Sequence, residues 1–509
     1  MADLPLPPRR AFTVTVRLTV AVLAGIVAFT AVTGLVDRMA GGVGAAVWAG
    51  GMAYWWLGRS PAMTAALAEA TTASRRLFVA GAILLVIQVL ALTFFIVNPN
   101  LGVWAATPWR PWPSIHSCVS SYWVAARMAS SAPNLYAESV YRPRPEPDKP
   151  RKPNLGPFLV DVYEYPPTFL PLPRLMAAVT PDFWQFRRLW LALNLAGVAL
   201  CLVAIARRFD TALGTQAVWL TPWVLLSPSI VGTLQAGNVH LLFVAAAVAA
   251  MLLFERQRHA AGGAILAYAI VSKLFPGVLL FYLLLRRDWR AVGWTAVWAV
   301  VLVAITFADV GAVPFAAFLE HLPGLLSGEA FPAFRSAAPI AVNESIPGLA
   351  FKIGVLGGPS LGFGASRILG WTYTLVVVGV TAWLALRPAR RGREPLVWIV
   401  ILVLATMRSP FLPMYGTFPS LWLATLLAAL RWHQPRARWT AIAWWTVLAI
   451  GFGQSFMSPP VTAIWTFVHT VGAFALVTMA IRHSHGAAEE AVPSTPGAVE
   501  PGPAAPVPA

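Results

Sequence analysis

The chain has 509 residues, 58% of them hydrophobic and only 11% charged, whereas a soluble domain carries roughly a quarter charged residues. So few charges cannot clothe a water-soluble surface, and lipid must cover much of the protein. The formal net charge of +17 comes without a Lys/Arg block on a polar face; arginines flanking spanning helices on the cytoplasmic side give the same total, so no nucleic acid partner is expected.

In chain order, Arg9 and Arg10 precede an apolar run that reaches about Val36 without a small-residue cleavage site, the pattern of an anchor that is retained. Further apolar runs lie at 42–57, 77–96, 187–206, 215–232, 238–254, 290–308, 366–387, 394–407, 412–430, 438–455 and 460–481. Between 256 and 285 another run is broken by Lys273 and Pro276, with arginines at both flanks. Because proline cannot donate the helical hydrogen bond, this run is expected to enter and return as two half-helices. The expected fold is an all-α polytopic membrane protein of about 12–14 transmembrane helices, each needing roughly 20 mostly apolar residues. Residues 1–76 would form an N-terminal transmembrane hairpin and 77–481 the main bundle. Residues 482–509, rich in Ala, Pro and Glu, are expected to be a disordered tail.

Arg75–Arg76, Arg207–Arg208, Arg286–Arg287, Arg390–Arg391–Arg393 and Arg436–Arg438 all fall on one side when the helices alternate. That pattern predicts a cytoplasmic location for these loops and for both termini. The segments 97–186 and 309–365 then lie on the opposite face. They are rich in Trp, Pro, Asn and carboxylates, and 141–157 reads as an extended surface loop. Trp104, Trp109, Trp112 and Trp123 suit an aromatic belt.

Ionisable groups at membrane depth are costly, so each is a functional candidate. Asp161 and Glu164, framed by Tyr163, Tyr165 and Pro166–Pro167, could accept a proton from a sugar hydroxyl, or could cap the segment that follows. Asn238 and His240 could bind a hydroxyl-rich ligand; Asn238 could equally cap a helix. Lys273, inside an apolar stretch, needs an anion, either a phosphate or a protein carboxylate. Arg408, with Tyr415 nearby, offers a second cation or a snorkelling interface residue. Asn343-Glu344-Ser345 precedes a short apolar segment. Walker, GxGxxG and HExxH motifs are absent, and two cysteines, Cys118 and Cys201, suffice for neither a disulfide framework nor a zinc site. No metal and no cofactor are expected.

At these residues the chain resembles glycosyltransferase family 87. The resemblance rests on the order of Tyr163-Glu-Tyr165-Pro-Pro, Gln235-Ala-Gly-Asn238-Val-His240, Ser272-Lys273-Leu-Phe-Pro276 and Arg286-Arg287-Asp-Trp289. Asn343-Glu-Ser345 is similar to the family's Asn-Gln-Ser element, and Ser409-Pro410 with Tyr415 to its late Ser-Pro element. The likeness covers roughly residues 77–430. It implies a GT-C helical bundle with a non-cytoplasmic active site and a polyprenyl-phosphate sugar donor. Tyr122 with Ala125–Ala126 aligns Cys118 with the family's presumed catalytic Asp, which leaves Asp161, Glu164 or His116 as candidate bases. Lys273 and Arg408 would bind the donor phosphate, and Asn238, His240, Asn343, Tyr165 and Tyr415 the sugars.

The expected function is transfer of a hexose such as mannose from the lipid donor to an envelope glycan or glycolipid acceptor. The reaction would take place on the outer side of the bacterial cytoplasmic (inner) membrane. The alternatives are a secondary transporter and a catalytically silent envelope-assembly protein.

Overall fold

The computed structural model describes residues 9–100, 102–106, 115–141, 155–209, 211–432, 434–449 and 457–485. The chain is an all-α polytopic membrane protein. Among the described residues six helices are long and apolar enough to span a bilayer: Arg10–Val36, Thr72–Val97, Phe183–Ala206, Trp289–Val310, Gly362–Leu386 and Pro459–His485. Helices Gly214–Leu226 and Pro228–Ala236, bent by 58°, are together long and apolar enough for a broken span or a re-entrant loop. Pro228 heads the second half of that pair, so the bend has the cause expected of proline.

The sequence predicts about 12–14 transmembrane helices of roughly 20 residues each, and several of the expected spans are shorter, His240–Glu255, His259–Ser272, Glu394–Thr406 and Tyr415–Leu430. Their burial accounts for the shorter length. Every residue of Glu394–Thr406 after the first is buried, and so is nearly all of Phe418–Leu430. These helices are lined by protein, so a short apolar run suffices. By contrast, Trp289–Val310 and Gly362–Leu386 leave Val300 69% and Leu375 73% exposed. Apolar side chains so exposed are the face that lipid covers.

The break expected at Lys273–Pro276 is present, between helices His259–Ser272 and Gly277–Leu285. The expected loop 141–157 lies largely outside the described residues, as do Trp109, Trp112 and the tail beyond His485.

Two ends of the bundle can be told apart. At one end Arg208 pairs with Glu255 at 2.6 Å and reaches Glu394 at 3.7 Å. The Arg390 N–H donates to Ser484 O there, and His485 meets Arg387 O. Helix Phe183–Ala206 ends there, and Glu394–Thr406 starts there. At roughly 1.5 Å per residue, Glu394–Thr406 carries the chain about 20 Å to the other end, where loops 115–118, 161–166 and 407–415 meet. A two-residue parallel pairing ties this end together, with His116 opposite Leu159 and Ser117 opposite Val160.

Candidate active site

The strand pairing places His116 beside the residue that follows Val160, which is Asp161. Ser120 fixes the backbone there, accepting from Asp161 N–H at 3.1 Å. His116 Nδ1 then lies 3.4 Å from Asp161 Oδ1. Directly after the strand the chain turns into helix Cys118–Met128, which brings Cys118 Sγ to 3.5 Å from His116 Nε2. The Tyr415 hydroxyl stands 2.9 Å from the same Nε2 and 3.9 Å from Sγ.

The Asn238 turn approaches from the opposite side. Gly237 holds φ at +72°, and a Cβ there would collide with Val119. Glycine alone permits both the left-handed backbone and the close approach. Trp190 locks the turn by donating to Gly237 O at 2.8 Å. Asn238 then does two things. Its Oδ1 accepts from His240 N–H at 3.0 Å, starting the helix, and its Nδ2 reaches Cys118 Sγ at 3.4 Å. His240 is buried and stacks on Phe275 with ring centroids 5.0 Å apart.

Asp161 and Glu164 do not cap the segment after Pro166–Pro167, whose helical starts receive no side-chain hydrogen bond. Both instead face a cavity of ≈ 1660 Å³. His116, Cys118, Asn238, His240, Lys273 and Tyr415 line the same cavity. Lys273 Nζ sits 5.4 Å from the centre of the Tyr165 ring, and the Tyr165 hydroxyl accepts from Tyr122 at 3.0 Å. Among the described residues Lys273 makes no ion pair. Burial pushes the Glu164 carboxyl up to about 8; Asp161 adds to that rise and Lys273 opposes it. Burial disfavours a charged His116, but Asp161 and Cys118 outweigh it and hold its pKa well above the ordinary value.

Arg408 faces the cavity from the far wall. Its Nε donates to Thr374, and its guanidinium lies 5.7 Å from the Trp371 ring centre. Asn343 behaves differently from the other candidates. Its Oδ1 accepts from Ser345 and Leu412 N–H, and its Nδ2 donates to Pro410 O at 3.0 Å. Its amide therefore clasps two loops together. The neighbouring Glu344 is the residue that faces the cavity, with its Oε1 2.9 Å from His469 Nδ1. The sequence reading singled out the Asn343-Glu344-Ser345 cluster but took Asn343 as its binding residue; His469 was not singled out, although a histidine within an apolar run of 460–481 was a signal.

The ligand atoms of His116, Cys118 and Asp161 all lie within 4.8 Å of one another. Imidazole, thiolate and carboxylate are all metal ligands, a combination that the cysteine count alone did not bring together.

Residues 163–412 match the family model described as Glycosyltransferase family 87. No curated protein and no solved structure matched the chain. The matched stretch contains Glu164, Lys273, Arg408 and the Asn343 clasp; Asp161 lies just before it, His116 and Cys118 further upstream, and His469 after it.

Proposed function

We propose that this glycosyltransferase family 87 protein moves a hexose, such as mannose, from a polyprenyl-phosphate donor to a glycan or glycolipid acceptor of the cell envelope. The active site lies on the outer side of the cytoplasmic membrane, and the arginine-rich end with both termini lies in the cytoplasm. The observation that carries this reading is the cavity: one chamber combines apolar helix walls with a half-buried lysine that makes no ion pair among the described residues, and two carboxylates. A lipid phosphate linked to a sugar needs those three surroundings together.

Transfer requires the acceptor hydroxyl to lose a proton while its oxygen attacks the anomeric carbon and the lipid phosphate departs. Glu164 is the base in this proposal. A carboxyl with a pKa of about 8 suits proton transfer near neutral pH, where matched pKa values work best. Lys273 steadies the charge that grows on the departing phosphate, the electrostatic contribution that often dominates catalysis. Arg408, on its aromatic support of Trp371, binds the same phosphate. Tyr165, Asn238, His240 and Tyr415 contact the sugars, and the Asp161–His116 pair borders the acceptor.

The test is a proteoliposome assay with polyprenyl-phosphate mannose and an extract of envelope glycolipids, following release of polyprenyl phosphate and mannosylated product. Product formation lost in Glu164→Gln supports the reading. Uptake of a solute with no donor turnover by any polyprenyl-phosphate hexose would replace it with a transporter.

A further inference from the structure

We infer that His116, Cys118 and Asp161 form a binding site for one divalent metal ion of the zinc class. The three donors come from two points of the chain brought together by the short strand pairing, and their ligand atoms lie within 4.8 Å of one another. Zinc bonds of about 2.0 Å to nitrogen and about 2.3 Å to sulfur, at a tetrahedral angle, put the two ligand atoms about 3.5 Å apart. His116 Nε2 and Cys118 Sγ are separated by 3.5 Å. Asp161 stands against the other ring nitrogen, Nδ1, at 3.4 Å, and its carboxylate has to swing round to the Nε2 side to complete the set, from ligand atoms that all lie within 4.8 Å of one another.

The donor types select the metal. Thiolate and imidazole favour zinc over magnesium or calcium, which take oxygen ligands. The surroundings also resemble the support a metal site needs, since outer partners orient the ligands. Asn238 Nδ2 points at the sulfur, and Ser120 holds the Asp161 backbone. All three ligands line the cavity, so the fourth position opens toward substrate. Three protein ligands with one open position is the arrangement of catalytic rather than structural zinc. The Tyr415 hydroxyl, now 2.9 Å from His116 Nε2, stands where it can occupy that position or bond to whatever does. A metal here would bind an acceptor hydroxyl and make it more acidic, beside Glu164. It would occupy the place where the resemblance expects an aspartate and this chain has Cys118.

This inference goes beyond the transferase reading and does not depend on it, because its test reads the metal and not sugar transfer. The full-length protein, purified in detergent and stripped with a chelator, is titrated with Co²⁺ alone. The expected result is one equivalent bound, with a thiolate-to-cobalt charge-transfer band that Zn²⁺ abolishes by displacement. Cys118→Ser should remove the band and Cys201→Ser should keep it. His116→Ala should weaken binding by more than the 10–100-fold typical of a merely supporting group. Absence of a charge-transfer band, or a band that survives Cys118→Ser, would overturn the proposal. A measurement on the unaltered protein guards against variants that fail to fold: saturating Zn²⁺ should protect Cys118 from maleimide, as read by mass spectrometry. Equal alkylation of Cys118 with and without Zn²⁺ would also overturn it.

Discussion

The cavity has two polar walls, and they bury their charges in different ways. On the far wall Glu344 meets His469 at 2.9 Å. One turn away Lys352 donates to Thr466, whose hydroxyl in turn donates to Ala341 O. Each charged group there has a close protein partner. On the near wall the closest ion-pair distance is 3.4 Å, between His116 and Asp161, and Lys273 has no carboxylate partner among the described residues. A charge held away from water without a counter-charge is costly, and Lys273 is half-buried, so the near wall is the one with charge left for a ligand to meet. The Glu344–His469 and Lys352–Thr466 pairs should therefore act on stability, and Glu164 and Lys273 on turnover.

The largest effect is expected at Glu164. Replacing it with glutamine keeps size and removes basicity, and should lower turnover by a factor of about 100 to 10,000 with donor binding intact. Its pH dependence has a definite sign. With a pKa of about 8, Glu164 is mostly protonated at neutral pH and must ionise to act. Turnover of the parent should rise as pH climbs through about 8 and fall below it, while Glu164→Gln should flatten that limb. A parent profile that falls as pH rises from 7 to 9 would remove Glu164 from the role.

Lys273→Ala comes next. A charge-assisted hydrogen bond contributes about 1.5–3 kcal/mol, so use of the donor should weaken by about 10- to 100-fold, measured as kcat/KM, while the yield of folded protein is unchanged. Loss of folded protein instead would class Lys273 with the Glu344–His469 and Lys352–Thr466 pairs. Glu344→Ala provides the mirror test: it leaves His469 without its partner and should cost about 3–5 kcal/mol in detergent unfolding. Glu344→Gln, which keeps a hydrogen-bonding group, should cost much less. The smallest effect belongs to Asn343→Ala. Its loss would leave buried backbone groups of Leu412 and Pro410 short of a partner, at about 1–3 kcal/mol, with the turnover of the remaining folded protein close to parental.

Much of this was legible from sequence because it is local. Apolar runs marked Thr72–Val97 and Phe183–Ala206 as helices, and Lys273 with Pro276 marked the break within residues. The Pro228 bend was missed because the run through it is as apolar as an unbroken span. At the site, Asp161, Glu164, Asn238 and Lys273 were recognisable from their surroundings, and the cavity gathers them. What sequence could not supply was pairing across distance. His116 reaches Asp161 only through the strand pairing, and Glu344 meets His469, which sits on the last described helix, Pro459–His485. Asn343 and Glu344 show the same limit at one position, since neighbouring residues point opposite ways and the pattern alone favoured the asparagine.

The pairing of His116–Ser117 with Leu159–Val160 also bears on how such an enzyme can diversify. It pins both ends of the intervening segment at the edge of the cavity. Closing a longer segment between fixed ends costs only about 0.6 kcal/mol for each doubling of its length. A change in the length of that segment would leave His116 and Asp161 at the same spacing, so the rim of the proposed site can vary while that pair stays fixed.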